Sequence, residues 1–207
     1  MAISVNVSIK RSMTKDAHSM DSPYAKSQNM YQEILKFWFE ETEPVQWWKK
    51  DENFDRIIIE RFSALHRRAA RCELYEWRTD AQGRLAEIIV LDQFSRNMFR
   101  GSPLSFAHDA LALALSQEAI SAGTDKALNP VERSFLYMPF MHSESMKIHQ
   151  VAAELFRKNG IQSNLDYELK HKTIIERFGR YPHRNSILGR ESTPEEIEFL
   201  KQPGSGF

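Results

Sequence analysis

The sequence predicts an all-α fold of about seven helices joined mostly by short links. Three observations predict it. Helix start and stop chemistry recurs from Met30 onward, apolar residues return at helical spacing, and no stretch sustains the two-residue alternation of a strand.

The first helix is MYQEILKFWFE (30 to 40), with Ile34, Leu35, Trp38 and Phe39 on one flank. EPVQWWKKD follows as a loop, broken by Pro44, that folds Trp47 or Trp48 back onto the core. Asp51 opens a second helix carrying Phe54, Ile57, Ile58, Phe62 and Leu65. Asp80 caps a third from about Ala81 to Phe99, and Leu85, Ile88, Ile89, Val90, Leu91, Phe94, Met98 and Phe99 leave it no wide polar face. Such a helix belongs at the centre. Gly101 stops it, and Ser102 and Pro103 open the next, which runs to Gly123. Asn129, Pro130 and Glu132 form an N-cap, first-turn proline and N3 glutamate at the head of a long helix to about Arg157. Pro139 kinks that helix and Gly160 closes it. A helix from Leu165 to Phe178 ends at Gly179, and Thr193, Pro194 and Glu196 open a short last one. Residues 30 to 207 thus read as a single helical domain, and residues 1 to 29 as an N-terminal extension.

Composition removes several function classes. Lys plus Arg equal Asp plus Glu at 28 each, so no global field draws the 207-residue chain to nucleic acid or an anionic membrane. Cys72 is the only cysteine, which excludes an internal disulfide framework and a thiolate zinc cluster and suits a reducing compartment, the cytoplasm. No apolar run approaches the roughly 20 residues that cross a bilayer, so no membrane association is expected. Residues 1 to 20 lack the apolar core of a secretory signal, and Asp16 with only three basic residues opposes a transit peptide. No glycine-rich phosphate loop, nucleophile elbow or paired zinc signature occurs, and neither a cofactor nor a metal is expected.

Polar residues in apolar surroundings mark the candidate site. Asp92 and Arg96 sit four apart on the core stripe that carries Leu85. Such a pair is either an internal bridge between helices or an arginine held by an acid for a ligand carboxylate or phosphate. Gln93 lies beside them, and Asn97 and Arg100 sit at the helix end. His142 and His149 lie two turns apart on one face, about 10.8 Å of rise, too far for both to bind one ion, and Glu144 falls off that face. Each histidine is either a core imidazole bonded to backbone or part of a site that His171 joins from the following helix. Cys72 lies among Arg67, Arg68 and Arg71 without a histidine base, which argues against a catalytic thiolate.

FGRYPHRNSILGRESTPEE (178 to 196) is the best candidate. Arg180, Arg184 and Arg190 with His183 and Asn185 stand in a segment too long and too polar for a helix connector, and Arg177 adds a fourth arginine just before it. Arginine is the side chain suited to bidentate oxyanion recognition. The same donors are equally suited to stapling an irregular segment onto the core through backbone carbonyls and buried acids such as Asp92. SRNMFRGSP (95 to 103) and HRNSILGREST-P (183 to 194) share a faint pattern of Arg-Asn, Gly and Ser or Thr with Pro, which points to similar helix starts.

LDQFSRNMFRGSPLSFAHD, FLYMPFMHSE and RFGRYPHRNSILGRESTPEE, with LKFWFE, WWKKDENFD and FLKQPGSGF, together resemble a family of uncharacterised, mainly bacterial proteins, the domain of unknown function 924 family. The resemblance covers most of residues 31 to 207. It implies an all-helical, tetratricopeptide-repeat-like array, although the chain has no clear 34-residue repeat. It implies no activity. The positions that match the family's motifs are Asp92, Gln93, Arg96, Asn97, Arg100, His142, Glu144, Arg180, His183, Arg184, Asn185 and Arg190, and Ser95 stands where the family commonly has proline.

The expected function is a binding module in which Arg96, Arg184 and Asn185 grip an anionic small molecule or a peptide carboxylate. The alternatives are an enzyme with His142 or His183 as general acid or base, and a purely structural set of staples. Ligand identity and oligomeric state are not legible.

Overall fold

A computed structural model describes residues 23–206, with side chains from Met30 onward. The transit-peptide reading and residues 1–22 of the predicted extension lie outside the described residues. Those described contain helices, turns and loops and no strand, as predicted. Helix α1 (Pro23–Lys36) continues into a π-helical turn, Phe37–Glu41, so the boundary predicted at residue 29 falls inside a helix. The loop after it does fold back. Trp47 Nε1 donates to Trp38 O at 3.0 Å, and its ring meets Phe135 edge-on at 4.9 Å. Helix α2 (Glu52–Ala70) begins at Asp51, whose carboxylate accepts from Asn53 N and Phe54 N.

A central rod follows. It comprises α3 (Ala81–Ile89), a π turn (Val90–Phe94) and α4 (Ser95–Met98), and Leu85, Ile88, Ile89, Val90, Leu91 and Phe94 have no exposed surface. Each such side chain contributes about 1.5–3 kcal/mol to folding. The predicted single α-helix to Phe99 therefore needs correction, because the π turn widens the rod by one residue at the point where its polar side chains emerge. Ser95 fixes that turn. Its hydroxyl donates to Leu91 O at 2.6 Å and lies 2.8 Å from His66 Nε2 of α2.

The helix predicted from Ser102 is also shorter. Pro103–Ser105 forms one 3-10 turn, the chain bends through Phe106 and His108, and α5 runs Asp109–Ser121. The bend has a cause in tertiary contacts: Asp109 is drawn to two arginines, and the Phe106 ring lies under them. The long helix predicted across Pro139 is two helices, α6 (Pro130–Met141) and α7 (Met146–Asn159). Proline removes the donor to Phe135 O, and the carbonyls freed beyond it are taken by other partners, His142 O by Arg184 and Ser143 O by His149. A kink thus becomes a turn. Helix α8 (Gln162–Phe178) starts three residues before the predicted Leu165, and α9 (Pro194–Leu200) carries the capping box predicted from Thr193 and Glu196.

Helices α5 to α8 run antiparallel in sequence order. Ser116 Oγ donates to Leu136 O, Asn159 Nδ2 to Pro130 O, and His149 of α7 faces Glu168 of α8. The rod lies between this array and α1 with α2, which places its polar end against the α6–α7 turn and the 179–193 segment. No helix among the described residues is long and apolar enough to cross a membrane.

Candidate functional site

Five residues from four elements close a ring of polar contacts. Asp92, in the π turn and 1% exposed, lies 3.0 Å from Arg96 Nη1 and 2.7 Å from His142 Nδ1, both at Oδ1. Arg96 Nη2 donates to Asp109 Oδ2 at 3.1 Å, and Arg184 Nη1 donates to the same oxygen at 3.2 Å. Arg184 Nη2 then donates to His142 O at 3.0 Å and returns the path to its start. The Arg184 guanidinium lies over two rings, with Cζ 4.5 Å from the Phe106 centroid and 4.7 Å from that of Tyr181. Stacking fixes its plane and leaves its edges for hydrogen bonds.

Electrostatics sets the protonation states in this ring. Burial alone would raise the Asp92 carboxyl, but Arg96 and then His142 hold it well below the usual carboxylate range. An ionised Asp92 only accepts, so the proton at its contact with His142 belongs to Nδ1. Burial, and then the charge of Arg96, lower the His142 imidazole against the opposing pull of Asp92; in the neutral ring the proton stays on Nδ1, facing Asp92, and Nε2 is bare. Burial and the like charge of Arg96 also lower Arg184. Two buried atoms of the ring have no hydrogen-bond partner among the described residues: Arg184 Nε and Asp109 Oδ1.

The remaining arginines of the 178–196 stretch are engaged elsewhere. Arg190 makes a bidentate pair with Glu144 at 2.6 and 2.9 Å and also bonds Asn185 Oδ1 and Tyr181 O. Arg180 pairs with Glu196 through two bonds of 2.7 and 2.8 Å and donates to Glu191 O. Asn185 Nδ2 reaches Ser192 Oγ and Glu196. Asn97 and Arg100 turn the other way, onto Asp55 of α2 at 2.6–2.8 Å. The acid that receives Arg184 is Asp109, which corrects the expectation that these arginines reach Asp92.

Three histidines gather around Tyr181. His149, His171 and His183 have ring centroids 6.2, 5.7 and 5.5 Å from it. His149 and His142 do not share a helix face as predicted, because the chain turns between them. His149 Nε2 lies 2.8 Å from Ser143 O, and Nδ1 lies 2.8 Å from Glu168 Oε1. Since a carbonyl can only accept, Nε2 is the donor to Ser143 O, and burial raises the Glu168 carboxyl that faces Nδ1. His171 Nδ1 bonds Tyr167 O at 2.8 Å. Gln93 braces the ring from behind, donating to Asp92 Oδ2 at 2.6 Å.

Structure thus brings together Asp92, Gln93, Arg96, His142 and Arg184 of the predicted set. Glu144, Arg180, Asn185 and Arg190 form an adjoining network. Sequence reasoning missed Phe106, Asp109, Tyr181, Glu168 and Asp55. Asp109 was visible in LSFAHD, but reading that stretch as mid-helix concealed it. A groove of about 510 Å³ lies elsewhere, lined among others by Leu35, Lys36, Phe39, Gln82 and Glu132, and contains none of the predicted residues.

The fold and the ring define a class of protein: an all-helical domain with a closed ionic ring at the end of its central rod. The chain belongs to the family described as "Bacterial protein of unknown function (DUF924)", whose model matches residues 34–204. It is similar to the solved structure of a protein of unknown function, ATU0120, from Agrobacterium tumefaciens, at 41% identity. The TM-score is 0.81, covering 84% of this chain and 98% of that one. No curated protein matches the chain.

Proposed function

We propose that this chain is a binding module for a small oxyanion or a peptide carboxylate, seated at the arginine edge of the ring. One observation carries the reading. Arg184, in contact with the Phe106 and Tyr181 rings, shares a single oxygen of Asp109 with Arg96 and retains a donor that has no partner among the described residues. Two guanidiniums on one carboxylate oxygen leave donor capacity that an oxyanion satisfies, and a prestacked arginine loses little entropy in binding it. Solvent reaches the ring at Arg96, whose side chain is 21% exposed. In this reading Arg96, His142 and Arg184 contact ligand, while Arg180, Asn185, Arg190, Asn97 and Arg100 staple segments to the core. His183 supports Tyr181 from behind. The antiparallel α5–α8 array supports a tetratricopeptide-like scaffold, and the lone cysteine supports a cytoplasmic setting.

A thermal-shift panel of carboxylated, phosphorylated and sulfated metabolites at fixed ionic strength tests the reading. A ligand at 100 times its dissociation constant adds about 2.7 kcal/mol, and Arg184→Ala abolishes that gain. A panel that leaves the melting temperature unchanged contradicts it.

The Asp92 and His142 pair favours a second reading, an enzyme. A buried carboxylate holding Nδ1–H leaves Nε2 as a general base beside two arginines that stabilise negative charge. Turnover of a ligand found in the panel, lost in His142→Gln with binding retained, separates this reading from simple binding.

A further inference from the structure

The ring carries more information about its ligand than the presence of arginine. Its paired charges cancel: Arg96 and Arg184 stand against Asp92 and Asp109. The adjoining Arg190 and Glu144 also cancel. A polyanion entering such a site meets no excess positive charge to offset its desolvation.

The unfilled hydrogen-bonding positions are of both kinds. On the donor side stands Arg184 Nε, on a side chain only 8% exposed. On the acceptor side stands Asp109 Oδ1, buried and without a partner among the described residues. His142 Nε2 is a second acceptor in the neutral imidazole, whose Nδ1–H faces Asp92, and no bond to Nε2 forms among the described residues. A simple carboxylate or phosphate dianion satisfies the donor and leaves both acceptors facing a further negative charge. Leaving a buried acceptor unmet costs about 1–3 kcal/mol.

We propose that the ligand is a small carboxylate bearing an ammonium or hydroxyl group on the adjacent carbon, the α-amino acid type fitting best. Its carboxylate accepts from Arg184 Nε and from the Arg96 edge. Its N–H or O–H donates to Asp109 Oδ1 or His142 Nε2. A zwitterion enters without changing the net charge of the ring, which is why the amino form is preferred to the hydroxy form. This inference rests on the anion-binding reading above, and it specifies the group beside the anion.

Calorimetric titration of the wild-type protein with acetate, inorganic phosphate, glycolate and glycine tests it. Glycine and glycolate share the carboxylate and differ in the donor, so they separate the two sources of that donor. A hydrogen bond to a charged group is worth about 1.5–3 kcal/mol, so both are expected to bind about ten-fold or more tightly than acetate, with glycine the tighter. In Asp109→Asn that preference is expected to fall to about two-fold while acetate binding persists. Acetate or phosphate binding as tightly as glycine in the wild type overturns the inference and leaves the anion reading standing. No binding of any of the four overturns both. The wild-type ratio decides without the variant, should Asp109→Asn fail to fold.

Discussion

Arg96 and Arg184 donate to the same oxygen of Asp109, at 3.1 and 3.2 Å, from segments far apart in the chain. The shared carboxylate joins the central rod to the 179–193 segment, and it keeps two like charges adjacent. Asp109→Ala removes the carboxylate that pairs with Arg184 and leaves the two guanidiniums without their shared acceptor. Stability is expected to fall by about 3 kcal/mol in denaturant unfolding, with partial recovery in added acetate. Loss without any acetate recovery would show that the deleted group acts by packing alone.

Arg190 and Glu144 form the bidentate pair that fastens the same segment to the α6–α7 turn. Each side chain is about one-quarter exposed, which places the pair between surface and core. Arg190→Ala and Glu144→Ala are each expected to cost about 2 kcal/mol, and the double variant little more than either. Additive losses in that cycle would mean that the two residues do not act as a pair.

Acid sensitivity follows from buried neutral imidazoles. Burial lowers His66 and His183 to about 4 and His171 to about 3. The unfolded chain takes up a proton at each near pH 6.5, and the folded chain does so only near these lower values. Their stability is therefore present above pH 6.5 and lost as pH falls toward 4, at up to about 1.4 kcal/mol per pH unit for each histidine. Asp92 and Glu144, held below the usual carboxylate range, add to the loss at lower pH. Denaturation midpoints measured at pH 7, 5.5 and 4.5 are expected to fall steadily; a flat profile from 6.5 to 5 contradicts the account.

Gly83 packs directly against the backbone of the turn that precedes the rod. A Cβ there would lie 2.1 Å from Trp77 O, a backbone atom that cannot swing aside. Gly83→Ala, normally favourable in a helix by about 1 kcal/mol, is expected to destabilise by at least about 3 kcal/mol as α3 is forced off the Tyr75–Thr79 turn. A neutral or stabilising outcome in thermal unfolding would show that α3 and that turn separate freely.

Much of the fold was legible because capping chemistry is local. Asp51, Asp80, Asn129 and Thr193 each stand where their sequence signals place them. The misread boundaries, at His142 to Ser145 and before Asp109, are places where tertiary partners take up backbone groups or side chains that local propensity assigns to a helix. The site was legible to the same extent. Asp92, Arg96 and Arg184 stood out as charges in apolar or irregular surroundings, whereas Phe106 and Tyr181 carried no signal beyond being aromatic. Which acid each arginine meets depends on how the helices pack, and that no spacing rule supplies.

The spare donor of the Arg184 and Asp109 junction is where a ligand is expected to bind. The most direct test is the ¹H–¹⁵N spectrum of the Arg184 Nε–H, assigned by its absence in Arg184→Lys, during titration with glycolate. The account predicts a saturable downfield shift of that one resonance as the carboxylate accepts its hydrogen bond. A resonance that stays in place up to saturating glycolate contradicts it.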